Sequence, residues 1–414
     1  MTSLTETAAA PGTETIATPV TKAALKLTDR INRIEPSATM AVVAEAEKLR
    51  QAGVDVVDLS VGEPHFHTPQ HIKDAAIAAI NNNFTRYTAV GGTIELKDAI
   101  VQRHAQDFGS AYKREEAMAS VGGKHVLFNA IQALVDHGDE VILPVPYWVS
   151  FKDIVRYAGG NCVLLQSDEE DGFRVTAEMV ARLVTPRTKM IILNSPSNPT
   201  GAVMSPEDLT EVARLAAERG IWVISDETYV YLNYSSREFS LGSLQEQRDR
   251  IIVVGSLSKT YAMTGWRMGF ALSPAAVTGA MQKLQSQSTS NPTSIVQKAA
   301  VAALKGSQAC VAEMRAEYIE LRDHMLAGLR SISGVKCTKP EGAFYVYPNV
   351  SAFFGRGGIN SPADFAKKLL HEAHVATVPG EGFGTNEHVR MSYATSKVEL
   401  DRGLERLRGF LGSL

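Results

Sequence analysis

Residues 255–269 read GSLSKTYAMTGWRMG, and they follow directly on a short apolar run, IIVV at 251–254. Four consecutive β-branched residues have the composition of a strand buried on both faces. That strand delivers Ser256, Ser258 and Lys259 at once, and Arg267 eight residues later. Lysine is seldom fully buried without a partner, so the bland reading is a strand end that surfaces with a solvated lysine. What the neighbouring strands deliver decides between that reading and a cavity.

Upstream, strands and helices alternate. GKHVLFNAIQALVDHG (123–138) reads as an amphipathic helix and EVILPVP (140–146) as a strand. FKDIVRYAGG (151–160) is a helix with a glycine stop, CVLLQ (162–166) a strand, and TAEMVARLV (176–184) a helix. KMIILN (189–194), the capped helix SPEDLTEVARLAAERG (205–220) and IWVISD (221–226) continue the pattern. Such alternation predicts an α/β fold with a largely parallel, helix-covered sheet. Before it come a helix at 40–52, the strand-like VDVVDLS (54–60) and helices at 70–81 and 93–107. Beyond residue 300 lie long helical stretches, AFYVYPNV (343–350), a helix near 362–373, VRMSYAT (389–395) and a final amphipathic helix, which read as an α+β part.

Bulk properties narrow the function. A chain of 414 residues exceeds one small core, and its 44% apolar and 21% charged residues are ordinary for a soluble protein. A net charge of −3 gives no electrostatic reason to expect nucleic acid or an anionic membrane. No apolar stretch approaches a membrane span. Cys162, Cys310 and Cys337 are an odd number without C-x-x-C spacing, so a disulfide framework or zinc site is not expected and a reducing, cytoplasmic compartment fits. The first 21 residues, rich in Ala, Thr and Pro and lacking Lys and Arg before Lys22, match neither a secretory signal nor a transit peptide, and read as a disordered tail.

In open α/β sheets, ligands bind beyond the carboxyl ends of the strands. Four strand ends here carry unusual residues: Trp148 after EVILPV, Asn198 in SPSNPTG after KMIILN, Asp226 and Tyr229 after IWVIS, and the Ser/Lys/Arg group after IIVVG. Each alone is weak. An aspartate after a strand is more often a helix cap, and NPTG is more often a turn. Together they describe one cavity, suited to an aldehyde cofactor with a phosphate and a pyridine ring. A lysine held out of water forms a Schiff base. A carboxylate beside the pyridine nitrogen keeps it protonated, so the ring can absorb electrons. A tryptophan stacks on the ring, and Asn and Tyr hydrogen-bond its oxygen. The serines, the arginine and the Gly-Gly turn of SVGGKH (120–125) suit a phosphate.

SLSKTYAMTGWRMGF, NSPSNPTG, SDETY, PYWVSF, VGGKH, VGEPHFHTP and VRMSYATS are specific motifs. Through them the chain, from about Asp29 onward, resembles the class I (fold type I) pyridoxal-phosphate-dependent aminotransferases, and most closely the bacterial Lys-type subgroup of aspartate aminotransferases. The resemblance implies a large domain with a mostly parallel seven-stranded sheet covered by helices, plus a smaller α+β domain. The division expected is a disordered tail at 1–27, the small domain with its N-terminal arm at 28–64 and 305–414, and the large cofactor-binding domain at 65–304.

Carried over residue by residue, the resemblance implies that Lys259 holds the cofactor aldehyde and then moves the substrate proton. Asp226 would pair with the pyridine nitrogen, Asn198 and Tyr229 with the ring oxygen, and Trp148 would stack on the ring. Gly123 and Lys124 through backbone N–H groups, with Ser256, Ser258 and Arg267, would hold the phosphate, and Tyr87 would reach it from the other subunit of a homodimer with shared sites. Arg390 would clamp the substrate α-carboxylate, with Gly62 supplying a backbone contact. The Lys124 side chain would meet the distal carboxylate of aspartate; Ser37, Thr39 and the hydroxyls at 288–290 of a partner subunit would assist. Aspartate with 2-oxoglutarate is the expected substrate pair. Glu35 departs from relatives that carry lysine there, and opposes a dicarboxylate. His125 reads as a satisfied helix residue, and Glu381 and the HEAH stretch (371–374) lack metalloprotease spacing, so no metal is expected.

Other readings have less support. Residues 256–259 are formally S-x-x-K, but the S-D-N and K-T-G partners of penicillin-binding enzymes are missing. A regulator built on this fold needs a basic DNA-binding module that the short tail does not supply. A transaminase for aromatic amino acids, alanine or prephenate/arogenate, or a β-lyase, remains open on the same fold.

Overall fold

The computed structural model of the chain describes residues 26–36, 38–235 and 238–414. The expected tail at 1–27 therefore lies almost wholly outside the described residues, as does Ser37. Among the described residues no helix is long and apolar enough to cross a membrane.

Short strand β1 (Val57–Asp58) precedes seven that form one sheet. These are β2 (Ala117–Ser120), β3 (Glu140–Val145), β4 (Asn161–Gln166), β5 (Thr188–Asn194), β6 (Trp222–Asp226), β7 (Ile251–Ser256) and β8 (Gly269–Leu272). The order across the sheet is β2-β8-β7-β6-β5-β3-β4. Strands β4, β3, β5, β6 and β7 run parallel to one another, and β8 is antiparallel to both β2 and β7. Alternate residues of β7 enter two different cores: Ile251 and Val253 pack on one face, Ile252 and Val254 on the other. Helices cover both faces, which is why these strands read as unbroken apolar runs.

The sequence pattern anticipates β3 to β7 and their helices to within a few residues. It does not anticipate β2 and β8 as strands. AMAS and GFAL are four residues each and rich in Gly and Ala, so they carry little period-2 signal, yet all but Phe270 are buried. The expected strand at 54–60 is shorter in the structure, where only Val57 and Asp58 pair, with the two-residue β10 (Val375–Ala376).

A second core gathers Val57 and Leu59, the helix Ala309–Arg330, β9 (Tyr345–Val346), β12 (Val389–Ser392) and the helix Lys397–Gly412. A three-stranded sheet in the order β11-β12-β9, with β11 at Val378–Pro379, belongs to this part. The segment after β1 is tied to it twice: Leu59 N donates to Ala376 O at 3.0 Å and Ser392 N to Leu59 O at 2.7 Å. These bonds hold residues 60–63 over the carboxyl ends of the large sheet.

Candidate active site

Parts of the chain far apart in sequence converge on a cavity of about 460 Å³. They include the start of the helix Gly123–Leu134, residues at and just beyond the ends of β3, β5, β6 and β7, the segment 61–63, β9, β12, and Thr39 with Met40 from the helix Ala38–Gln51. Lys259, Asp226, Asn198, Tyr229, Trp148, Lys124, Gly123, Ser256, Ser258, Arg267, Arg390, Gly62 and Thr39 all line it.

Lys259 sits in the single-turn helix Leu257–Thr260 that continues β7. Ser256 caps that turn, its Oγ accepting from Ser258 N at 3.2 Å. Nζ of Lys259 donates to the Gly62 carbonyl at 2.5 Å. Burial pulls the ammonium down to about 8; Glu63 opposes the shift, and Arg390, Arg267 and Lys124 add to it. An enclosed cation without a carboxylate partner favours the free amine, the form that attacks carbonyls. The solvated-lysine reading of this strand end does not hold.

Asp226 ends β6 and is 4% exposed. Its Oδ1 accepts from Thr228 N at 3.1 Å, so it does cap a turn. One such bond leaves most of its acceptor capacity unused, and burial pushes the carboxyl up to about 6 against the Thr228 bonds. A buried carboxylate this poorly solvated is poised for a cationic partner inside the cavity.

Arg390 on β12 is 2% exposed. Nη2 donates to Ser60 O at 2.6 Å and Nη1 to Asn198 Oδ1 at 3.1 Å. Nε has no partner, and among the described residues no carboxylate pairs with Arg390. Its guanidinium lies 4.6 Å from the Tyr345 ring centroid and 5.3 Å from that of Phe383. Tyr229 Oη is 2.8 Å from Tyr345 Oη. Tyr345 and Glu63 are among the cavity residues that sequence reasoning passed over, as are Asn194, Thr228 and Thr264. Tyr345 was hidden in an apolar strand, AFYVYPNV, whereas Glu63 stood in plain view beside Gly62 in VGEPHFHTP.

At the opposite end, Gly122 takes φ +81°, and a side chain there would meet Arg267 Nη2 at 2.7 Å. Arg267 itself takes φ +55° and is fixed by Nη1 donating to Thr264 O at 2.9 Å. A bulky residue in left-handed backbone is strained and persists only where its surroundings impose it. The Gly-Gly turn, the helix N-terminus, two serines and this guanidinium form a cradle with the chemistry of a phosphate site. The Lys124 ammonium lies 4.9 Å from the Trp148 ring centroid, and burial lowers its pKa, with Arg267 adding to the shift.

Several residues are not gathered here. Tyr87 is 92% exposed on its own loop. His125 Nδ1 pairs with Ser120 Oγ at 2.8 Å, outside the cavity lining. Glu35 faces Arg156, with Oε1 at 3.5 Å from Nη1, and not the cavity. Glu381 accepts from Ala363 N at 3.0 Å at the start of the helix Pro362–Ala373. Ser288 lies two residues beyond the helix Ala275–Ser286, and its hydroxyl donates to Leu284 O at 3.2 Å.

Known proteins share this architecture. A model of the family Aminotransferase class I and II matches residues 54–407. The aspartate aminotransferase of Geobacillus stearothermophilus is 43% identical over 389 residues, covering 94% of this chain and 99% of that relative. The aspartate/prephenate aminotransferase of Nitrosomonas europaea is 41% identical over 396 residues, 94% of this chain and 100% of that one. Among solved structures, the aspartate aminotransferase from Thermus thermophilus with maleate has a TM-score of 0.89 at 42% identity, covering 93% of this chain and 99% of that one.

Proposed function

Because the chain belongs to the class I and II aminotransferases, we propose that it moves the amino group of aspartate to 2-oxoglutarate, with pyridoxal 5′-phosphate as cofactor. The observation that carries this reading is the enclosed Lys259 ammonium, which shares one cavity with the buried Asp226 and with Arg390, a guanidinium that has no carboxylate partner among the described residues. The residues fit the cofactor. The cradle at Gly122, Ser256, Ser258 and Arg267 suits its phosphate, the under-solvated Asp226 its ring nitrogen, and the face of Trp148 its ring. When bound, the group supplies an aldehyde for amine exchange and a ring that takes up an electron pair.

The chain's own residues do the rest. Arg390 binds the α-carboxylate of the donor through the guanidinium N–H groups that its bonds to Ser60 O and Asn198 Oδ1 leave free. Asn198 gives its Oδ1 to Arg390, which leaves its amide N–H groups as the donors a ring oxygen needs. Tyr229 adds its hydroxyl there. Lys259 Nζ takes the α-proton of the donor and returns a proton during the shift, as a general base matched to neutral pH. Gly62 O orients that amine. Lys124 is the proposed contact for the distal carboxylate, and Thr39 lies close enough to line the same space.

The exposure of Tyr87 supports a homodimer in which that tyrosine completes the partner's site. The core that gathers Val57, Leu59 and the elements between 309 and 412 supports the division into 65–304 and 28–64 with 305–414, although Val311 packs with the large sheet and Tyr229 and Leu232 with the smaller part. Three free cysteines support a reducing, cytoplasmic setting.

An absorbance titration of the purified holoprotein with single amino acids tests the reading. Aspartate and glutamate should convert the bound cofactor stoichiometrically, and 2-oxoglutarate should reverse the change. A panel led by alanine or phenylalanine would move the assignment to another donor. Continuous consumption of an amino acid with no oxo acid present would make the protein a lyase.

A further inference from the structure

We propose that Tyr345 is a positioning residue that joins the carboxylate-binding Arg390 to the hydroxyl of Tyr229, resting on the function proposed above. The residue comes from β9, in the second core, where it pairs in register with Ser392 two residues beyond Arg390. It therefore reaches the cavity from the part of the chain that carries Arg390, and touches the part that carries Tyr229.

Three contacts define it. Its Oη lies 2.8 Å from Tyr229 Oη, with the two rings edge to face at 5.9 Å. Its ring carries the Arg390 guanidinium at 4.6 Å. Its Oη also lies where a side chain at Gly62 would fall, 2.7 Å from the Cβ position, beside the carbonyl that holds Lys259.

Phenylalanine would fill the same volume and support the same cation. The hydroxyl is thus the informative atom, because a buried hydroxyl is unfavourable unless bonded. Each phenol has one hydrogen. If Tyr229 donates its hydrogen into the cavity, the bond between the two oxygens must be donated by Tyr345. Tyr345 then fixes the direction of the Tyr229 hydrogen and, by polarising that oxygen, strengthens it as a donor. The charged groups around the pair are Arg390 and Asp226 beside Tyr229, and Arg390 and Glu63 beside Tyr345. Burial raises both phenols above their ordinary range, so both keep their hydrogens at neutral pH.

The two halves of Tyr345 separate by mutation. Tyr345→Phe removes the hydroxyl and keeps the ring, and Tyr345→Leu removes both. The first readout is the pH midpoint of the visible absorbance of the resting holoenzyme. A weaker Tyr229 donor stabilises the negative ring oxygen less, so the protonated form persists to higher pH. Tyr345→Phe should raise the midpoint by about one pH unit. It should leave the affinity for the unreactive dicarboxylate maleate within about twofold. Tyr345→Leu should in addition weaken maleate binding by about tenfold. In a Tyr229→Phe background, Tyr345→Phe should move the midpoint no further. If Tyr345→Leu does not fold, judged by circular dichroism, the Phe variants decide the matter. An unchanged midpoint in Tyr345→Phe, or a full shift that survives in the Tyr229→Phe background, overturns the proposal while the wild type still titrates normally. A wild type that takes up no pyridoxal phosphate overturns the functional reading and this one with it.

Discussion

Lys259 Nζ and the Gly62 carbonyl oxygen stand 2.5 Å apart, although 197 residues separate them in sequence. The contact joins a strand end of the large sheet to the segment stapled onto the second core. It anchors the amine in a cavity where burial pulls its pKa from the ordinary 10.5 to about 8. In the apoprotein the free amine should therefore gain about tenfold per pH unit below 8 and level off above it. The rate of pyridoxal-phosphate uptake, trapped by borohydride reduction, should follow that curve, whereas a solvated lysine would keep rising through pH 10. The sign for stability follows. A folded pKa below the unfolded one means that burial of the ammonium opposes folding fully below pH 8, and that this penalty is released as pH rises from 8 toward the unfolded value. Glu63→Gln should lower the midpoint further, since Glu63 is the group that opposes the shift.

Asp226→Ala should lower kcat/KM for transamination by about 10² to 10³ or more, the effect of removing one partner of a buried charge pair. The fold should survive, because the turn bond to Thr228 N is a small part of what holds β6. A loss below tenfold would leave Asp226 as a turn cap alone.

Much of this site was legible because its chemistry sits at strand ends, where the apolar run stops and a polar residue stands out. Lys259, Asp226, Asn198 and Trp148 were visible that way. Tyr345 was not: its neighbours are Phe344 and Val346, and a tyrosine in an apolar strand looks like core, which by burial it is. Strand β8 was equally hidden, since four residues cannot display a period, and its antiparallel direction depends on the path of 257–268 through the cavity wall. The partner of Glu35 was invisible for a third reason. Arg156 lies 121 residues away, on the helix Ser150–Ala158, and charge pairs across such distances leave no local trace.

The active unit should sediment as a homodimer. Lys259→Ala subunits lack the amine and Tyr87→Ala subunits lack the tyrosine proposed to complete a partner's site. Hybrids of the two would contain one site with both residues intact. After random exchange the mixture should recover about a quarter of wild-type activity, half of the dimers being hybrid with one working site of two. A fully active monomer, or no recovery on mixing, would remove Tyr87 from the site.

The donor assignment turns on Lys124 and Glu35 together. A dicarboxylate needs two cationic contacts, and Arg390, the proposed partner of the α-carboxylate of any amino acid, does not discriminate. Glu35 is the feature that opposes aspartate, because a carboxylate beside the pocket repels another. In the structure its Oε1 lies 3.5 Å from Arg156 Nη1, on the helix Ser150–Ala158, and it does not line the cavity. A paired and largely solvated carboxylate there contributes on the order of 1 kcal/mol at most. Glu35→Gln should then change KM for aspartate by less than about fivefold. Lys124 is placed differently. Its ammonium lies over the face of Trp148 and has no carboxylate partner among the described residues, and the residue, though exposed, lines the cavity itself. Lys124→Ala should raise KM for aspartate tenfold or more, because only the dicarboxylate loses a charge-assisted partner, while alanine and phenylalanine change little. Steady-state kinetics with the three donors at fixed 2-oxoglutarate read this directly. An equal effect on all three would mean that Lys124 serves the phosphate cradle alone, and a large gain for aspartate in Glu35→Gln would mean that the Arg156 pair does not shield the site.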